Sequence, residues 1–248
     1  MKHTSTIIPT QSLLISPQKI LRWLALIVMV LLVANITGIL LESVFQVDSR
    51  ATRLIVRYFD FNGEGNIPAF FSSIILLIAG ILLLLIHARQ THWSGSYNTK
   101  HWLILGVIFM FMAVDENVQL HEHVANYVRP MLGNDLSGML HWAWVVPYGI
   151  LTLLVVAYFL GFVLRLPPKT RNLIIISGAI FVTGALGLEF VEGYLYKRYG
   201  LDHLYNRIMY CLEELMEMTG VTLFIYALLD FLAQHRTEFV ITAEDRNA

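Results

Sequence analysis

One cysteine in 248 residues excludes a disulfide framework and a cysteine-built zinc site. Charge is scarce as well: 14% of the residues are Asp, Glu, Lys or Arg, against roughly 25% in an average soluble domain. A formal net charge of −1 lacks the basic excess that nucleic acid requires, so no nucleic-acid partner is expected. Seven prolines and 16 glycines are too few for a collagen-like or low-complexity chain. No phosphate-binding loop, nucleophile elbow or haem motif occurs, so any catalysis must come from side chains that the fold assembles. What the chain does have is apolar surface. Hydrophobic residues make up 56% of it, and mean hydropathy is +0.63. The composition predicts an all-α, polytopic transmembrane helix bundle with membrane lipid as its surroundings.

Apolar runs place about six spans in one transmembrane domain over 1–248: about 20–41, 68–87, 101–127, 139–166, 173–196 and 206–232. The third is the weakest, because Trp102 to Val114 is apolar but Asp115 to His123 is not. No proline or glycine interrupts the chain between Gly106 and Pro130, which favours one continuous helix over 101–127. The N-terminal run is too long for a cleavable signal peptide and lacks a small-x-small site. With the N-terminus inside, ten of the 17 Lys and Arg residues fall on the inner side, which favours a cytoplasmic N-terminus in a cell membrane. Between the first two spans, Arg50, Arg53 and Arg57 interleave with Val47, Leu54, Ile55 and Phe59, the pattern of a short interfacial helix. The tryptophans, such as Trp23, Trp93 and Trp102, stand near helix ends as interfacial anchors. Cys211 reads as core. The two halves share no motif, which counts against a transporter built from inverted repeats.

Eight of the 18 acidic residues fall inside apolar spans: Asp115, Glu116, Glu122, Glu189, Glu192, Glu213, Glu214 and Glu217. Each charged group at a helix centre costs about 2.5–3.5 kcal/mol, so these side chains must face one another, a cavity, cations or protons. Spans three and five carry their acids at the C-terminal end and span six at the N-terminal end. Spans three and five run in parallel and span six runs back, so all three groups share one half of the membrane, the outer half if the N-terminus is inside. The other half offers only Thr183, Ser177, Asn35 and Thr37, apart from Asp230 and charges near helix ends. Such one-sidedness weighs against a conduction pathway.

Three chemistries fit these residues. A divalent metal, whether Zn, Fe, Mn, Mg or Ca, is one cofactor such a set could hold, with Asp115, His121, Glu122, Glu189, Glu192, Glu214 and Glu217 as ligands. Glu122 and Glu217 would then move protons while the metal activates water or oxygen. A proton or cation conductor would use the same groups without fixed coordination. A structural network of protonated acids would need no ligand at all. Two weaker candidates remain. Asp60-x-Asn62-x-Glu64-x-Asn66 matches the first half of a calcium loop, but its twelfth position is Phe71; the alternative is a glycine-rich turn capped by Asn66. His141 is either a ligand or an interfacial residue.

Five segments together resemble a group of bacterial multi-pass membrane proteins of unassigned function. They are Phe59 to Ser73, Val114-Asp-Glu followed by Leu120-His-Glu122, Val146-Pro-Tyr-Gly149, Gly184-Ala-Leu-Gly-Leu-Glu189 and Leu212 to Gly220. The resemblance implies a six-helix architecture in a bacterial inner membrane. It also implies that His121 rather than His123 belongs with the acids, although a continuous helix turns His121 away from the polar stripe of Asp115, Glu116, Gln119, Glu122, His123 and Asn126. A helix end or π-bulge near Gln119 would bring the two readings together. A more distant similarity is to alkaline-ceramidase-type membrane hydrolases, whose His-x-x-x-His pair in the last helix this chain lacks.

Overall fold

The computed structural model describes residues 16–90, 99–133, 136, 138–200 and 203–235. Lys2 and Trp93 lie outside these residues. Among those described there is no strand, and six helices are long and apolar enough to cross a membrane. The first crossing is α1 (Pro17–Ile39), started by a proline in its first turn and continued by a π-helical turn over Leu40–Val44. After α2 (Arg50–Phe59) come α3 (Ile67–Gln90) and α4 (Lys100–Val118). Next are α5 (Leu120–Leu132), a 3-10 turn at Gly138–Leu140, and α6 (Val145–Val163). The fifth crossing is α7 (Pro168–Val182), a π segment at Thr183–Leu188 and α8 (Glu189–Tyr199); α9 (Leu204–Gln234) closes the bundle.

The outside of the bundle is apolar. Trp23, Val107 and Leu153 expose 66%, 56% and 71% of their surface, an apolar belt consistent with a membrane-spanning bundle. The core is organised around α9, which packs against α1, α3 and α7 and buries nearly every residue from Met218 to Leu232. Small residues set the helix spacings. Gly80 and Gly106 let α3 and α4 approach closely, and Gly220 brings α9 against the backbone of α7 at Ser177 and Phe181. Trp102 is not an interfacial anchor. It is fully buried, with its ring centroid 4.9 Å from that of Phe162 and 5.3 Å from that of Phe231. Hydropathy alone cannot separate a tryptophan at the interface from one turned inward.

The short helix expected after the first span is α2. Ser49 caps it by accepting the Thr52 amide, and Ile55 and Val56 sit over Gly38 of α1. Leu54 and Tyr58 remain exposed between arginines. The loop that follows is a capped turn. Asn66 accepts the Ala69 amide and donates to the Asp60 carbonyl, while the Asp60 carboxylate accepts the Asn62 amide. Asn35 also belongs here, because its side-chain oxygen accepts the Phe61 amide. It therefore lies at the acidic end of the bundle and not among the polar groups of the opposite half.

Three crossings separate this loop from the turn around Pro167. Single cysteines introduced as Asn62→Cys and Arg171→Cys, with Cys211→Ala, are therefore expected to react with a membrane-impermeant maleimide from opposite sides. Reaction from the same side would overturn the six-span arrangement.

Candidate functional site

The third span does not continue to residue 127. α4 stops at Val118, and Gln119 takes left-handed backbone angles of φ 58° and ψ 41°. Neither glycine nor proline makes this break; a carboxylate does. Asp115 Oδ1 accepts the His121 amide at 3.0 Å, and its Oδ2 lies 3.2 Å from His121 Nδ1. One side chain thus caps the start of α5 and orients the imidazole. The pairing places the Nδ1 proton toward Asp115 and leaves Nε2 as the free lone-pair donor. The break also rotates His121 into the site, so the helix end that reconciles wheel and motif is present.

A cavity of about 640 Å³ opens at this end of the bundle. Asp115, His121, Glu122, Glu189, Glu192, Glu214 and Glu217 all line it, as do Glu64, Glu116 and Glu213. Ligand-capable atoms converge in two groups, each within 4.8 Å: Glu64, His121 and Glu122 at the mouth, and Glu189, Glu192 and Glu213 deeper in. Glu214 and Glu217 line the wall outside both groups. Glu64 and Glu213 were not among the ligands expected from sequence. Glu213 is one of the eight acids that fall inside the spans. Glu64 carried its signal in the Asp60–Asn66 loop, whose turn aims it at His121 and Glu122 where a calcium loop would have folded it inward.

Local structure explains the deeper group. The π segment Thr183–Leu188 leads directly into Glu189 and Glu192, and Gly184 admits the α9 backbone at Glu213 and the side chain of Glu217. Gly193 lets the Gly138 carbonyl and His141 close over α8. Glu192 is 1% exposed. Its Oε1, like Oε2 of Glu189 and Oε2 of Glu214, is buried without a hydrogen-bond partner among the described residues. Buried carboxylate oxygens left unpartnered are costly, and a cation or a proton is what relieves them.

Among the described residues lining the cavity, Arg129 is the one Lys or Arg, and its guanidinium donates to the His141 carbonyl at 2.6 Å. At the mouth, burial and the nearby Glu122 hold the Glu64 carboxyl above its ordinary value. Burial and Arg129 lower His141. For His121, burial pulls downward, but the hydrogen bond and charge of Asp115, with Glu122 and Glu116, outweigh it and the net shift is upward. NMR titration of His121 should therefore give a midpoint above 6.5, and Asp115→Asn should lower it. Because the folded value is raised, the stability from this pair is complete below 6.5 and is lost as pH rises through the folded value. Asp115→Asn should accordingly destabilise more on the acid side. An unchanged midpoint would mean that Asp115 does not govern this imidazole.

Residues 23–232 match the sequence profile of a family described as Domain of unknown function (DUF8692). No curated protein and no solved structure matches the chain.

Proposed function

Because the chain belongs to the DUF8692 family, whose description assigns no activity, we propose a function from the site alone. The protein is a metal-dependent membrane protein that acts on a membrane-associated substrate, with its N-terminus in the cytoplasm and its acids on the outer side of a cell membrane. One observation carries this reading: three carboxylates from α8 and α9 converge within 4.8 Å, and oxygens of Glu189 and Glu192 are buried without partners. The set is all oxygen, which suits Mn, Fe, Mg or Ca better than Zn. Glu189, Glu192 and Glu213 hold the ion, with Glu214 and Glu217 beside it. Asp115 orients His121 toward the mouth.

A divalent ion held there would supply Lewis-acid activation of water. Glu122 at the mouth and Glu217 on the wall are the carboxylates placed to take and return a proton. Conduction is the weaker reading. From Glu217 to Asp230 is about 20 Å of helix rise, and the buried polar residue between them on α9 is Thr222. Asp230 itself accepts from Lys169 and Gln234, both at 2.6 Å.

Elemental analysis of purified protein tests the proposal, comparing wild type with Glu192→Gln, Glu213→Gln and Glu217→Gln. Bound metal is expected in wild type and its loss in the first two. Equal, negligible metal in all four would leave protons or packing as the explanation of the cluster. Uptake of protons or metal by reconstituted vesicles, abolished by Glu217→Gln, would establish conduction instead.

A further inference from the structure

The cavity is lined by two kinds of side chain: the acids, and a largely apolar set that includes Leu76, Met112, Thr152, Phe181, Val182 and Leu186. Met112 lies six residues before the end of α4, and Thr152 lies seven residues after the start of α6. Both helix ends are at the acidic end of the bundle, so this recess reaches about 10 Å below them, at hydrocarbon depth. Thr152 supplies its one hydroxyl. Water would find few partners there, and a polar metabolite would bury its own groups unpaired.

The way in is visible in how α6 is held. At one end, Phe159 and Phe162 pack on His101 and Trp102. At the other, Trp144 and Tyr148 pack on His121. Between these aromatic clasps α6 meets its neighbours sparsely. Ile150, Leu151, Leu153 and Leu154 face outward, and a Cβ placed on Gly149 would meet nothing. A flank so lightly packed, next to an apolar recess and inside a bilayer, admits a hydrocarbon chain from the side.

We propose that the cavity seats a single-chain membrane amphiphile, its chain in the recess between α4, α6 and α7 and its head group against the carboxylates. The volume of about 640 Å³ lies within the roughly 300–1,000 Å³ of small-molecule pockets and is far more than one ion needs. The chemistry done on the head group rests on the metal reading; the seat for the chain does not.

The test uses the full chain in phosphatidylcholine nanodiscs and a lysophosphatidylcholine carrying a photoactivatable diazirine on its acyl chain. Irradiation, proteolysis and mass spectrometry locate the adducts. Labelling is expected to concentrate on Met112, Thr152, Phe181 and Leu186 relative to the lipid-facing Val107 and Leu153. Thr152→Trp and Leu186→Trp fill the recess from two different helices. Each should cut recess labelling about tenfold, the factor given by 1.4 kcal/mol of lost binding, and leave Val107 and Leu153 labelled as before. Equal labelling of inward and outward residues, or recess labelling indifferent to both substitutions, overturns the proposal. Metal content of the same samples separates the two readings. Recess labelling without metal removes the metal site and keeps the seat, whereas metal with uniform labelling does the reverse.

Discussion

Gly220→Ala is expected to destabilise the bundle by about 1–3 kcal/mol, the range for overpacking a tight contact. An alanine Cβ there would stand 2.9 Å from the Phe181 nitrogen, the Ser177 carbonyl oxygen and the Phe181 Cβ. Two of these are backbone atoms of α7, so no side-chain rotation relieves the clash and the two helices must separate. Gly178, on the same α7, provides the control, since a Cβ there meets nothing within 4 Å. Gly178→Ala should be neutral or stabilise by about 0.5–1 kcal/mol through helix propensity. At roughly 2–4 °C per kcal/mol for a chain of this size, thermal melting in detergent resolves the two. Equal melting temperatures for both variants would mean that α7 and α9 do not meet at Gly220.

Glu192→Gln is expected to stabilise the metal-free protein while removing its response to metal. In the stripped wild type, Glu189, Glu192 and Glu213 crowd together in a buried site, and among the described residues the cavity wall offers one Lys or Arg, Arg129. Neutralising the most buried of them relieves repulsion, and relief of this kind at functional sites stabilises by about 0.5–2 kcal/mol. The same change removes a ligand. A metal present at a hundredfold excess over its dissociation constant adds about 2.7 kcal/mol to the wild type, an upward shift of roughly 5–10 °C. The measurement is a melting curve after chelation and again with Mn²⁺, Fe²⁺, Mg²⁺, Ca²⁺ or Zn²⁺. Wild type should rise and Glu192→Gln should not. If the chelated variant melts below the chelated wild type, Glu192 is a structural hydrogen-bonding group and not a strained ligand.

The six spans were legible because apolar length is a property of local sequence, and so was the gathering of acids at one end, which follows from helix direction alone. The break at Gln119 was legible only through the family resemblance that sets His121 with the acids, and not from local propensity. A left-handed glutamine has no propensity signal; it exists because Asp115 caps the amide of a residue six positions on. The π segment before Glu189 has no residue signature either, since it depends on how α7 and α8 meet α9. Glu213 was among the eight acids inside the spans but was not assigned as a ligand, because choosing among Glu213, Glu214 and Glu217 needs the angle at which two helices meet. Trp102 fell on the wrong side for the same reason: hydropathy says how apolar a residue's surroundings are, not whether lipid or protein supplies them.

The π segment Thr183–Leu188 makes the fifth crossing behave like a screw with an extra part-turn cut into it. A helix advances about 100° with each residue, and a π turn absorbs one residue more than an α-helical turn does. Winding these same residues as plain α-helix, with none removed, would leave α7 seated on α9. Everything after it would then swing by about 100°, carrying Glu189 and Glu192 off the cavity wall with the composition unchanged. The site is thus held in the angular phase of α8 as well as in the identity of its carboxylates. A one-residue gap at this point does the opposite: it removes the wide turn and keeps Glu189 and Glu192 in phase, so two sequences that differ by that gap could both have the cluster.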